Sequence, residues 1–253
     1  MFFGPVVNAA RAIAGQVNGA VMSFSHNFST ALRPQIIKTY AAEQKEETMK
    51  LVFRGCKFTF FLMYIFALPL FLEMNTVLRL WLKNPPEMAV VFTRLALIDA
   101  VIDSISYPLM TLVQATGKIK LQQGVVGGIL LCNLPVSYLA LKLGAPAYSV
   151  MLIAIIITFI AFVVRLFIVK RLSGMSILEF IKNTAIACVF VSILACILPV
   201  LFISFFDESL LRLFLTVIIS VLCTCVCVCF IGMNKSERQS LFTGVWSRAG
   251  GSR

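Results

Sequence analysis

The chain has 253 residues, 60% of them hydrophobic and only 13% charged, with a formal net charge of +11. Soluble domains run about 45–50% apolar and about 25% charged, so this composition and a mean hydropathy of +0.95 exclude that class and indicate a polytopic membrane protein. The positive charge then reads as a topology signal and not as a nucleic-acid footprint.

Seven spans follow from hydropathy and from the Lys/Arg residues between them. The first, Asn8–Leu32, is long enough at 1.5 Å per residue to cross a ~30 Å hydrocarbon layer. As a helix it places Asn8, Arg11, Gly15, Asn18, Met22, Ser25 and Ser29 on one stripe, with His26 and Asn27 beside its end. That side is too polar for lipid and is expected to face a wet cavity. Gly15 and Gly19 form a small-xxx-small step where a helix could approach closely. An arginine near mid-span costs at least ~2.5 kcal/mol on insertion scales, so Arg11 either faces a cavity, where it can hold a phosphate or acidic sugar, or snorkels to headgroups. His26, the only histidine, reads either as a proton switch or as a residue bonded to a neighbouring helix or water.

Pro34 is expected to end the first span, since the residue before proline is pushed out of helical geometry. Residues 34–50 then read as an amphipathic surface helix or a solvated linker. The second span runs about Phe58–Leu72 and the third about Phe92–Ala115, the latter carrying Arg94, Asp99 and Asp103. Asp99 and Asp103 are four apart and share a helix face. Carboxylates within a span suit ion or proton coupling; the alternative is pairing with Arg94 or a neighbouring helix, or a shallow position. The remaining spans are Leu121–Leu141, Ala147–Val164 (ending at Arg165), Asn183–Phe206 and Leu213–Met233, each near or above the ~18-residue length of a transmembrane helix. Pro69, Pro108, Pro135 and Pro199 interrupt four spans and allow bending. Residues 235–253 form a short basic tail to which no chemistry is assigned.

Lys and Arg alternate between the joins. One set holds Arg33, Lys38, Lys45, Lys50, Arg54 and Lys57, then Lys118 and Lys120, then Arg165, Lys170, Arg171 and Lys182, and finally Lys235, Arg238, Arg248 and Arg253. The other set holds only Arg79, Lys83, Lys142 and Arg212. This asymmetry puts the C-terminus in the cytoplasm and Met1 outside. A chain that begins mid-protein would account for an outer N-terminus without a signal peptide.

No catalytic constellation is present, so an enzyme is not expected, and no cofactor or metal is implied. Cys223, Cys225, Cys227 and Cys229 alternate around a helix and cannot gather on one metal; they read as small apolar packers.

The runs FFGPVVNAARAIAGQV, NF…ALRPQI, LRLWLKNPPE and PLMTLVQATGKIKLQQGVVGG resemble the C-terminal lobe of bacterial polysaccharide (O-antigen and capsule) flippases of the MATE-like MOP superfamily. The resemblance implies an all-α membrane bundle of about seven helices: residues 1–171 a partial second lobe of five spans, 172–234 two additional helices, 235–253 the tail. It also implies residence in the bacterial inner membrane and outward translocation of an undecaprenyl-diphosphate-linked oligosaccharide by alternating access. Glycan polymerases or glycosyltransferases are implied as assembly partners, and nucleic acid is not. Arg11, with Asn8, Gln16 and Asn18, would form one wall of the substrate path, while Asp99, Asp103 and His26 are the candidates for ion coupling. The first lobe and the preceding helix have no counterpart here, so a partner half or a longer product is expected. The alternatives are a cation-coupled multidrug exporter of the same superfamily, and an inactive fragment or assembly partner.

Overall fold

The structure is a computed structural model that describes residues 4–233 and 237–238. Among these residues the secondary structure is helical, with no strand. Five stretches are long and apolar enough to cross a membrane: Lys45–Leu72, Ile119–Lys142, Ser149–Ser173, Ile177–Phe205 and Leu210–Gly232. Helix α1 (Pro5–Ala41) and the pair α4 (Ala89–Ser104) and α5 (Ser106–Ala115) have comparable length but carry the polar residues. With them the expected total of about seven is reached.

Helix α1 does not stop at Pro34. Its 37 residues cover about 55 Å, well beyond the hydrocarbon layer. Proline removes a single backbone bond. The turn after it is fixed by Ile36, only 1% exposed and packed in a cluster with Val52, Leu109 and Phe180. Burial outweighs the local preference. The break comes instead at Ala42–Gln44, where Glu43 takes a left-handed φ of 58°. The stretch read as one surface helix is therefore divided: its first part finishes α1 and Lys45 starts α2 (Lys45–Leu72).

Helix α2 is the physical centre of the fold. It packs against α1, α4 and α5 on one side and against α10 (Ile186–Phe205) and α11 (Leu210–Cys227) on the other. Close approach of α1 and α5 depends on Gly55, where a Cβ would stand 3.2 Å from both Leu32 and Pro108. Beyond α2, the join read between spans two and three contains a short helix, α3 (Met74–Leu82).

Two prolines set helix breaks by simple counting. A proline cannot donate to the carbonyl four residues earlier. Pro108 leaves Ser104 without that bond, and α4 ends at Ser104; Pro135 does the same for Leu131, and α6 (Ile119–Leu131) ends there before α7 (Asn133–Lys142). Pro69 and Pro199 lie inside α2 and α10 without ending them.

Helix α8 (Ser149–Ser173) passes through Arg165 and continues to Lys170 and Arg171. Arg165 is buried, 4% exposed, and so belongs to the bundle and not to a basic join. A short α9 (Ile177–Phe180) runs through a π-helical stretch, Ile181–Ala185, into α10, and α11 runs into a second, Val228–Gly232. Of the tail, Lys235, Arg248 and Arg253 lie outside the described residues. Glu237, however, is buried and holds Lys57 at 2.8 Å and Arg54 at 3.1 Å, so this part of the tail has a definite structural role.

Candidate functional site

The exposed faces of the bundle are of two kinds. Those of α7, α8, α10 and α11 present large apolar side chains such as Leu134, Phe159, Phe190 and Phe214, as hydrocarbon requires. Helix α1 differs. Its exposed side carries Asn8, Arg11, Ala12, Gly15, Gln16, Gly19, Ser23, His26, Asn27 and Thr30, and its exposed large apolar residues are Val6, Phe24 and Ile37. No ion pair or side-chain hydrogen bond holds Arg11 among the described residues. A Cβ added at Gly15 or Gly19 would meet nothing within 4 Å, so the expected helix packing at this step is not made here.

The stripe read from the sequence splits along its length. Asn8, Arg11 and Gly15 are open, whereas Ser25 and Ser29 are buried, and Ser25 donates its hydroxyl to the Thr59 carbonyl on α2 at 3.1 Å. Spacings that alternate three and four average 3.5, short of the 3.6 residues of a helical turn, so the stripe drifts around the helix and carries the later members into the packed side. Asn18 sits at the boundary. Its Oδ1 is buried without a partner among the described residues, so it does not share the open face of Asn8, Arg11 and Gln16.

A second polar feature runs along α4 and α5. Asp99, Asp103, Tyr107 and Thr111 recur every four residues, followed by Gln114, and the stripe crosses the offset at Ile105. From α8, Thr158 faces Asp99, and Arg165 stands 3.9 Å from Asp103. From α1, His26 meets the Tyr107 ring edge to face, with centroids 5.8 Å apart. His26 and the Asp99–Asp103 pair, far apart in sequence, therefore lie on one polar line through Tyr107 and Arg165. Neither intermediary was singled out from sequence, although the four-residue recurrence at 99, 103 and 107 and the seven-residue step from Thr158 to Arg165 were available signals. Arg94 is not the partner of the aspartates: it donates to the Phe71 and Leu72 carbonyls at the end of α2. Pairing with a neighbouring helix, the alternative weighed for the two acids, applies to Asp103.

A family model described as MatE matches residues 1–139, more than half of the chain. The chain belongs to the MatE family. Members of this family are transporters of the MOP superfamily and not enzymes. No curated protein and no solved structure matches the chain. Within this MatE chain the matched region contains the open face of α1 and the acids of α4, whereas α8, which supplies Thr158 and Arg165, lies beyond it.

The MatE chain also holds a charged seam between α2 and α11 that sequence reasoning missed. Glu73, 1% exposed, accepts two bonds from Arg212, at 2.9 and 3.0 Å, and one each from Thr216 and Thr76. Arg212 donates in addition to the Phe206 carbonyl at 2.8 Å. Nearby, Arg79 and Glu208 pair at 3.0 Å. With Lys57–Glu237, these contacts tie α2 to the C-terminal part of the chain at its middle and at its C-terminal end.

Proposed function

We propose that this chain forms part of a flippase that moves a lipid-linked oligosaccharide, of the undecaprenyl diphosphate type, across the bacterial inner membrane for surface-polysaccharide synthesis. The observation that carries the reading is the open face of α1: small, polar, free of carboxylate, and bearing the unpaired Arg11. A large anionic headgroup needs a wide wall of small residues and a guanidinium able to hold phosphate by two bonds. In this reading Asn8, Arg11 and Gln16 line the path, and a second helical half completes it so that access alternates between the two membrane faces. The C-terminus lies in the cytoplasm, and glycan-assembling enzymes deliver or receive the substrate.

A cation-coupled drug exporter of the same superfamily is the second reading, and Asp99 and Asp103 favour it. Against it, Asp103 already faces Arg165, which offsets the charge a cationic substrate would need. Replacing Arg11 with Ala at the native locus separates the two. Loss of a charge-assisted contact of about 1.5–3 kcal/mol should lower export about ten- to hundred-fold, with lipid-linked intermediates accumulating and the protein level unchanged. Normal surface glycan together with lost drug resistance in Asp99→Asn would reject the flippase reading.

A further inference from the structure

Arg33 lies 22 residues beyond Arg11. At about 100° per residue these two positions differ by only about 40° around α1, and at 1.5 Å per residue they stand about 33 Å apart, close to the ~30 Å of a hydrocarbon core. Both are exposed, and no ion pair of either appears among the described residues. The two arginines therefore mark the two ends of one polar face.

Arg33 is also part of a cavity. Between α1 and α5, a pocket of about 100 Å³ is lined by His26, Ser29, Thr30, Arg33, Tyr107 and Gln114, with Met110 and Thr111 completing it. The two threonine hydroxyls are already committed, Thr30 to the His26 carbonyl at 2.9 Å and Thr111 to the Tyr107 carbonyl at 3.2 Å. What remains to meet a ligand is the Arg33 guanidinium, the Gln114 amide, the Tyr107 and Ser29 hydroxyls and the His26 ring. No carboxylate lines the pocket; Asp103, one turn away from Tyr107, faces Arg165. A donor-rich cavity without an acid selects an anion. A single water needs about 10–15 Å³ of such space, so the pocket has room for several waters and therefore for a phosphate group.

We propose that this pocket is a second anion station, which holds a phosphate of the lipid-linked substrate at the end of α1 opposite to Arg11. The proposal rests on the flippase reading and adds to it a site, its ligand chemistry and a geometry: the diphosphate passes between two arginines one membrane thickness apart. The glycan stays outside the pocket, along the small residues between them.

The test uses the full chain, purified from its native host into lipid nanodiscs, with farnesyl diphosphate as the probe and farnesol as the phosphate-free control. Arg33→Gln is expected to weaken farnesyl diphosphate binding about ten- to hundred-fold and to leave farnesol unchanged. Gln114→Ala gives a smaller loss and serves as the second variant should Arg33→Gln elute as aggregate. Equal probe affinity in wild type, Arg33→Gln and Gln114→Ala overturns the site. Export measured in the same strains keeps the two ideas apart. Lost export in Arg11→Ala with binding and export intact in Arg33→Gln leaves the flippase standing and removes the second station. Lost probe binding in Arg33→Gln with normal export removes the pocket from the transport path.

Discussion

Two regions of this molecule place charge where a membrane protein can least easily carry it, and they do so in opposite ways. Along the seam between α2 and the C-terminal helices, every buried charged group described has a partner: Glu73 is bonded by Arg212, Thr216 and Thr76, and Glu237 by Lys57 and Arg54. On the open face of α1, Arg11 and Arg33 have none among the described residues. Depth in a span therefore does not separate these two kinds of charge; the presence of a partner does. A paired charge has spent its bonding capacity on the fold, whereas an unpaired one on an open, small-residue face keeps it for a ligand.

The sharpest way to break this contrast is at Glu73. Glu73→Ala strands the Arg212 guanidinium in a buried site and removes an acceptor from Thr216, a situation that typically costs about 3–5 kcal/mol. A large fall in apparent Tm of the purified protein is expected, with partial recovery in the double variant Glu73→Ala, Arg212→Leu. An unchanged Tm in the single variant would place this seam with the solvent-screened surface pairs, whose worth is about 0–1 kcal/mol.

Gly232→Ala probes the same seam without touching charge. A Cβ there would come within 2.7 Å of the Phe61 ring, itself 2% exposed and packed with Cys188 and Val191. The ring cannot retreat without displacing its neighbours, so a loss of about 1–3 kcal/mol is expected from overpacking. A smaller effect is expected for Asp103→Asn. Arg165 is buried, but the pair is 3.9 Å long, the Asp103 side chain is 33% exposed, and Asn keeps an amide oxygen toward the guanidinium, so the change should cost about 1 kcal/mol. A loss well above that in thermal unfolding would move Asp103 to the structural side of the comparison.

Much of the architecture was legible because hydropathy and helix length are local properties. The apolar spans read at 121–141, 147–164, 183–206 and 213–233 correspond to helical stretches at 119–142, 149–173, 177–205 and 210–232. What was not legible depended on contacts between distant residues. Pro34 reads as a stop until Ile36 is known to be buried, and Arg165 reads as a basic join until Asp103 is known to face it. Glu73 looks like the start of a loop, since nothing in its neighbourhood announces an arginine 139 residues away. The open side of α1 was half legible: the small and polar composition showed in the sequence, but which turns pack on α2 depended on the Ser25–Thr59 bond.

The smallest stability effect belongs to the open face and is the most discriminating about its role. Gly19→Ala adds a methyl group that meets nothing within 4 Å, and replacing glycine by alanine within a helix favours the helix by up to about 1 kcal/mol. Apparent Tm should therefore hold or rise slightly, the reverse of Gly232→Ala. Export need not follow stability. A face that serves as a wall against a bulky glycan or a closing second half has its clearance set by side-chain size, so Gly19→Leu should reduce surface glycan while leaving Tm near that of Gly19→Ala. If Gly19→Leu exports normally, the small residues of α1 are not a clearance device, and Arg11 alone must account for the polarity of that face.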